Sequence, residues 1–334
     1  MKLMRKLGLA ACIMLGLTAF TAAQGQTPDW LKQPLKKPLG DIVIGLAAFS
    51  VGNNGYTSTY DSTFRAYAKE LGVKVIVYDA QMDPQKQASQ IQNLVAQNVD
   101  ALVVWAVDGK AVVPSLKRAH DAGVPVMITN APIDPQGSKY VQTFTGPNDY
   151  AEAAQAGELM AKALNGKGNV VMVNGSPGFV PSEKRVEGFV DVIKKYPGIK
   201  ILDSQTAYWS REKAQTLMEN YITRFGDKID GVYAAESGMG AGALSAVQAA
   251  VSAGRLKPDH IKFVDCTLTY AGYDAIKKGP YYYGSVLQSP SEDARLALKA
   301  AVQIAEGKTV PKTMSLETPS LTAENIGKIP RPSW

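Results

Sequence analysis

The chain has 334 residues, of which 46% are hydrophobic and 20% are charged, and its formal net charge is +6. This length allows two domains with proper cores, and the composition is that of an ordinary globular protein. Three of the basic residues lie within the first six positions, and the others are scattered along the chain. Nucleic acid is therefore not expected as a partner, because its binding needs a clustered basic surface.

The first 23 residues have the three parts of a secretory signal peptide. Residues 1–6 are basic, residues 7–20 are apolar, and Thr21-Ala22-Ala23 supply small residues before Gln24. The apolar stretch is shorter than the roughly 18 residues of a membrane span, so a retained anchor helix is the weaker alternative. We predict cleavage near Ala23 and a periplasmic location. Only Cys266 then remains, and no internal disulfide is expected.

Residues 24–40 are rich in proline and lysine and are predicted to form an extended leader. Short apolar strands then alternate with helical segments, starting with a β-α-β unit over residues 41–84. Further strands are predicted at 101–105, 126–130, 141–144, 170–173, 199–203, 231–234, 261–265, 283–287 and 314–316, with helices at 83–98, 111–122, 149–164, 181–196, 210–225, 239–253, 270–278 and 291–306. The alternation predicts an α/β protein with two similar doubly wound lobes rather than one large sheet.

Polar and aromatic side chains follow most of the predicted strands at their carboxyl ends. Open parallel sheets bind their ligands beyond these ends, so we expect the side chains to surround a binding site. Tryptophan combined with carboxylates and amides favours a polar ligand held between aromatic faces. The residues are Asn54, Tyr56, Asp79, Trp105, Asn130, Gly175, Trp209, Glu236, Asp265 and Gln288.

Catalytic chemistry has little support in the sequence. The two histidines lack metal-ligand spacing and no His–carboxylate–nucleophile set can be assembled, so we expect no metal, no cofactor and no catalytic residue. Residues 238–243, Gly-Met-Gly-Ala-Gly-Ala, have the outline of a dinucleotide site. The motif lies late in the chain and Glu236 would repel a pyrophosphate, so a dinucleotide-dependent oxidoreductase is kept only as an alternative.

An ordered series of motifs over residues 41–310 resembles the periplasmic sugar-binding proteins of the ribose-binding type. Among them are Asn53-Asn54, residues 78–84, residues 123–126, residues 185–189 and Gln288-Ser289-Pro290. The resemblance implies the type I periplasmic binding protein fold, in which three crossings of the chain form a hinge between two lobes. It implies an N-terminal lobe of residues 41–146 plus 289–317 and a C-terminal lobe of residues 147–288 plus 318–334.

The resemblance also implies a non-enzymatic protein that captures a sugar or polyol between its lobes. Such a protein delivers its ligand to the permease of an ABC importer in the inner membrane, and it is expected to be a monomer. A chemoreceptor is a further partner that the sequence leaves open. A repressor effector domain shares the fold but would need an N-terminal helix-turn-helix, where the predicted signal peptide stands instead.

Carried over position by position, the resemblance places ligand contacts at Asn54, Tyr56, Trp105, Asn130, Arg185, Trp209, Glu236, Asp265 and Gln288. Aromatic faces would cover the C–H face of a sugar, and Arg185 would offer a fork of donors to two adjacent oxygens. Trp105, Asn130-Ala131 and Glu236 depart from the residues usual in this family. These departures favour a smaller polyol, a cyclitol or an amino sugar over ribose. Replacing Arg185 or Asp265 with alanine is expected to abolish binding without unfolding the protein.

Overall fold

The computed structural model describes Trp30 and residues 34–334. The predicted signal peptide and most of the predicted leader lie outside the described residues. Residues 34–38 form no helix or strand, and a 3₁₀ turn, Leu39–Asp41, precedes the first strand. Residues 37–334 group together by their internal contacts. The helices that the structure describes include none with both the length and the apolar character needed to cross a bilayer.

The strands are short and alternate with helices through most of the chain, as the sequence predicts. The strands are β1 (Val43–Ala48), β2 (Lys74–Asp79), β3 (Ala101–Val104), β4 (Val126–Thr129), β5 (Thr143–Gly146), β6 (Lys167–Asn174), β7 (Gly198–Thr206), β8 (Gly231–Ala234), β9 (Lys262–Cys266), β10 (Tyr282–Val286), β11 (Thr313–Ser315) and β12 (Ser320–Thr322). The helices are α1 (Gly55–Leu71), α2 (Pro84–Ala96), α3 (Val113–Asp121), α4 (Asp149–Ala163), α5 (Val180–Ile193), α6 (Arg211–Phe225), α7 (Ser237–Ser252), α8 (Tyr270–Lys278) and α9 (Pro290–Ala305).

The turn after β1 shows how local sequence places the first site residues. Asn54 caps α1, because its Oδ1 accepts a hydrogen bond from the Thr57 backbone N at 3.0 Å and Thr57 Oγ1 accepts one from the Asn54 N at 3.2 Å. At the other end Gly72, with φ 75°, adopts the left-handed conformation that terminates the helix. Asn54 and Tyr56 therefore lie just beyond the carboxyl end of β1.

Each lobe is built on a six-stranded sheet. The first sheet has the order β11-β5-β4-β3-β1-β2, and all its neighbouring strands are parallel. The second has the order β12-β10-β9-β8-β6-β7, in which only β12 is antiparallel to its neighbour. In each sheet the first strand lies inside the order, so later strands are added on both sides of it. The connections therefore leave in opposite directions beside the first strand, which creates a crevice at the carboxyl ends of the strands.

The chain passes between the two sheets three times, after β5, after β10 and between β11 and β12. The predicted fold class, two doubly wound α/β lobes of the type I periplasmic binding protein kind, is confirmed. The residue limits assigned to each lobe stay a prediction. One strand was not expected: the last strand predicted from the sequence is at 314–316, but Ser320–Thr322 also pairs with the second sheet.

Candidate functional site

A cavity lies beyond the carboxyl ends of the two sheets. The centre of a water molecule can occupy about 50 Å³ of it. Eight of the nine predicted ligand contacts line this cavity, and Asp265 does not. The lining residues are Phe49, Asn54, Tyr56, Thr57, Trp105, Asn130, Phe179, Pro181, Arg185, Trp209, Glu236, Thr267 and Gln288. The ends of at least six strands therefore contribute to one cavity.

Aromatic rings from both lobes form the cavity wall. Phe49 lies directly after β1, and its ring centroid is 6.0 Å from that of Trp105 and 4.8 Å from that of Phe179. Phe179 in turn meets Trp209 edge-on at 5.9 Å. Phe49 and Phe179 were not among the predicted contacts. Like the predicted residues, Phe49 directly follows a strand. In the sequence it continues the apolar run of that strand, so the pattern assigns it to the strand and not to the site.

Besides an apolar face, each of the two tryptophans has an indole N–H, which is a hydrogen-bond donor. The indole Nε1 of Trp105 and that of Trp209 are both buried and have no hydrogen-bond partner among the residues that the structure describes. An indole N–H is a donor only, and a buried donor without a partner costs free energy. A ligand that places an acceptor oxygen beside each indole would remove that cost.

Arg185, from α5, lies at the cavity with its guanidinium occupied by protein groups. Its side chain is 5% exposed. The hydrogen-bond acceptors are Asp149 Oδ1 at 2.9 Å from Nε, the Ala235 carbonyl oxygen at 2.6 Å from Nη1, Thr267 Oγ1 at 3.0 Å from Nη1, and Gln288 Oε1 at 2.5 Å from Nη2. The sequence predicted that Arg185 would direct its fork of donors toward a ligand. The fork instead binds groups of the C-terminal lobe, where it connects α4 and α5 to the ends of β8, β9 and β10.

Two buried carboxyl groups on α4 form ion pairs with this arginine. Asp149 forms the hydrogen bond described above, and Glu152 Oε2 lies 3.0 Å from Arg185 Nη2. Burial raises the pKa of Glu152 to about 7, against the opposing effect of Arg185, and burial also raises the pKa of Asp149. Burial lowers the pKa of Arg185, but the two carboxylates raise it overall, so the guanidinium stays charged.

A hydrogen-bonded bridge joins the lobes at the cavity floor. Gln288 follows β10 of the second sheet, and its Nε2 donates to the Tyr56 hydroxyl of α1 at 2.7 Å. Asn130, which follows β4 with φ 60°, also donates to the Tyr56 oxygen, at 3.2 Å. The Gln288–Tyr56 bond needs the two lobes in register, and the Asn130–Tyr56 bond needs the end of β4 in register with α1. The sequence alone cannot measure either distance.

The sequence profile described as the periplasmic binding protein domain matches residues 44–309, well over half of the chain. The chain belongs to this family. Its predicted membership of a ribose-type group of sugar-binding proteins is confirmed by the same comparisons.

Several relatives of this periplasmic binding protein align over nearly its whole length. The xylitol-binding protein of Mycolicibacterium smegmatis is 32% identical over 323 residues, 95% of this chain and 84% of the relative. The ribose import binding protein of Bacillus subtilis is 28% identical, over 93% and 97% of the two chains. An ABC transporter solute-binding protein from Bacillus halodurans with bound myo-inositol superposes with a TM-score of 0.78 at 29% identity, over 87% and 98% of the chains.

These comparisons favour a solute-binding protein of an ABC importer over the oxidoreductase alternative. The structure gives the glycine motif a different role in this periplasmic binding protein. Glu236 caps α7, with its Oε2 accepting a hydrogen bond from the Met239 N at 3.1 Å, and it is 6% exposed. Burial raises its pKa, while the backbone N–H groups of Gly238 and Met239 lower it. A carboxylate therefore occupies the helix terminus where a pyrophosphate would have to bind.

Asp265 is the one predicted contact that the structure does not bring to the cavity. It lies inside β9 and is fully buried, so its carboxylate points between the sheet and α7 rather than beyond the strand end. Burial raises its pKa to about 7, although the hydroxyls of Ser285, Tyr282 and Ser237 lower it. Thr267, two residues later and beyond the strand, lines the cavity instead. The strand was predicted to end at residue 265, and it ends at 266.

Proposed function

We propose that this protein binds a small uncharged polyol or sugar of about four or five carbons and delivers it to an ABC importer. The size of the cavity carries the proposal. A water molecule needs about 10–15 Å³ of such centre-accessible space, so 50 Å³ accommodates about four waters. That volume suits a short polyol.

The chemistry of the wall supports a ligand with many hydroxyls. The rings of Phe49, Trp105 and Phe179 offer apolar faces to C–H groups. The indole N–H groups of Trp105 and Trp209 need acceptors, and a hydroxyl can accept one hydrogen bond while donating another. The relative named for xylitol and the structure with bound myo-inositol both point to polyols, and we infer the same class here.

The charges around the cavity support a neutral ligand. Arg185 pairs with Asp149 and Glu152, whose pKa values are both raised by burial, and Glu236 lies at the positive end of the α7 helix. An amino sugar would need an unpaired carboxylate, and one oxygen of Glu236 is already bonded to the helix. A neutral polyol therefore fits the wall better than the amino sugar that the sequence left open.

We further propose that the protein is exported by a signal peptide cleaved near Ala23 and acts in the periplasm as a monomer. Its lobes would close over the ligand by rotation at the three crossings, near residues 146–147, 288–289 and 317–319. Closure excludes water, so an unmatched polar group of a wrong ligand costs about 1–3 kcal/mol. The closed form would then be presented to the permease, and a chemoreceptor is a second receiver that we leave open.

The test is a thermal-shift screen of residues 24–334, followed by calorimetry on each ligand that shifts the melting temperature. The panel contains xylitol, ribitol, erythritol, glycerol, sorbitol, myo-inositol, ribose, glucosamine and NAD. A ligand at 100 times its Kd stabilises the folded state by about 2.7 kcal/mol, so a true ligand is readily detected. We expect the largest shift from a four- or five-carbon polyol.

A pair of neighbouring variants shows whether binding occurs in this cavity. Trp209 lines the cavity, whereas Tyr208 does not line it and is 48% exposed. Trp209→Ala is expected to abolish the shift and Tyr208→Ala to preserve it. A response to glucosamine alone would replace the neutral-polyol proposal with an amino sugar selected by Glu236. A response to NAD alone would contradict the proposed function.

A further inference from the structure

A buried carboxylate that the sequence analysis did not single out holds two of the predicted ligand contacts. Asp293 lies in the first turn of α9 and is fully buried. Its Oδ2 accepts hydrogen bonds from the Tyr56 hydroxyl at 2.8 Å and from the Asn130 amide nitrogen at 2.7 Å. Tyr56 and Asn130 come from α1 and the end of β4, so Asp293 ties three elements of the N-terminal lobe together behind the cavity.

The chain of bonds that starts at Asp293 ends at Arg185 in the other lobe. The Tyr56 hydroxyl donates to Asp293 and accepts from Gln288 Nε2, while Gln288 Oε1 accepts from Arg185 Nη2. An ionised carboxylate only accepts hydrogen bonds and a guanidinium only donates them. The phenol and the carboxamide between them could each point either way. The two ends therefore determine the direction of every bond in the chain.

The same constraint determines which atom Asn130 offers to a ligand. Its amide nitrogen is used by Asp293 and by the Tyr56 oxygen, at 2.7 and 3.2 Å. The reversed amide would place its oxygen against the carboxylate at hydrogen-bond distance, where two acceptors repel. The carboxamide oxygen is therefore the atom of Asn130 that is left for a ligand hydroxyl.

We propose that Asp293 is a positioning residue that makes Asn130 an acceptor toward the ligand and sets the polarity of the Tyr56–Gln288 bridge between the lobes. The inference rests on the proposed function for the nature of the ligand, but the bonds themselves exist without one. Asp293 does not line the cavity, so it acts through the residues that do.

The matched variants are Asp293→Asn and Glu292→Gln. Each variant removes one carboxylate from the first turn of α9 and preserves the shape of the side chain, but Glu292 is exposed whereas Asp293 is buried. An asparagine at 293 could donate as well as accept, so the directions of the Tyr56 and Asn130 bonds would no longer be determined. We expect Asp293→Asn to weaken xylitol binding about tenfold at pH 8 in residues 24–334, and Glu292→Gln to leave it within twofold of wild type.

A pH profile separates positioning from a purely structural role. Burial raises the pKa of Asp293 to about 7, against the bonds from Asn130 and Tyr56, and Asp149 raises it further. Tyr56 and Tyr60, which Asp293 also affects, stay neutral because burial raises the pKa of each well above 10. Glu152, whose pKa is also raised to about 7, is present in both wild type and Asp293→Asn, so the comparison of the two profiles isolates Asp293. As the pH falls from 8 to 6, Asp293 gains a proton and can donate, so wild-type affinity for xylitol should fall and that of Asp293→Asn should change less.

A second readout needs no ligand. The side-chain amide signals of Asn130 in the ligand-free protein, identified by their loss in Asn130→Asp, should shift in Asp293→Asn and stay in place in Glu292→Gln. If these signals do not move, or if Asp293→Asn binds xylitol as wild type does with the same pH profile, the proposal is wrong. If wild type binds none of the polyols and sugars in the thermal-shift panel while the signals move as expected, the proposed ligand class fails and the positioning role stands.

Discussion

Replacing Arg185 with alanine should destabilise the folded protein, in addition to impairing binding. The substitution removes the cation that faces Asp149 and Glu152, whose side chains are 3% and 0% exposed. It also leaves the Ala235 carbonyl oxygen and Thr267 Oγ1 without their donor, and Gln288 Oε1 keeps only the Thr267 hydroxyl, at 3.3 Å. This corrects our expectation from the sequence, that the variant would lose binding without loss of stability.

The magnitude follows from the burial of the ion pairs. Removing one partner of a buried pair costs about 3–5 kcal/mol, because the remaining charge has no compensation. Without Arg185 the pKa values of Asp149 and Glu152, already raised by burial, should rise further. A carboxyl group with a raised folded-state pKa is protonated in the folded protein at low pH. As the pH increases through that pKa it becomes a buried charge, which lowers the free energy of unfolding. The deficit should therefore be larger at pH 8 than at pH 5.

The assay is urea unfolding of the ligand-free protein at pH 8 and pH 5, followed by circular dichroism. A loss of this size lowers the urea midpoint by about 1 M or more. The control is Lys184→Ala, the neighbouring residue on α5, whose exposed side chain pairs with Glu187 at the surface. Little change is expected there. An Arg185→Ala variant with wild-type stability at both pH values would refute the reasoning. If the reasoning is correct, adding Asp149→Asn and Glu152→Gln to Arg185→Ala should restore stability.

Two further substitutions probe the tryptophans of the cavity. Trp105→Phe removes a buried N–H that has no partner among the described residues and that we propose donates to the ligand, so xylitol affinity measured by calorimetry should fall about 5- to 150-fold, from a loss of about 1–3 kcal/mol. An affinity within twofold of wild type would contradict the donor role. Gly175→Ala would place a Cβ 2.0 Å from Trp209 Cζ2 and push the indole into the cavity, so binding should weaken at least tenfold. Gly327→Ala, where nothing lies within 4 Å of the new Cβ, is the control, and equal affinities for the two variants would count against this view of Trp209.

The strand ends were the most informative feature of the sequence. Apolar runs followed by polar or aromatic residues predicted where Asn54, Trp105 and Gln288 would lie, because parallel strands bring their carboxyl ends to one edge. The rule failed at Asp265 because the strand continues to residue 266, so Asp265 lies within the strand and its side chain enters the layer between the sheet and the helix. Element boundaries carry that uncertainty when they are read from periodicity alone.

The sequence by itself determined the alternation of strands and helices, the two lobes, the family and most of the cavity wall. These depend on hydrophobic period, turn residues and motif order, which are local properties of the chain. Tertiary structure decided what each polar group does. Arg185 pairs with α4, Glu236 caps α7, and Asp293 reaches Tyr56 across 237 positions of sequence. A hydrogen bond depends on distance and direction in space, and no pattern along the chain records either for residues brought together only by folding.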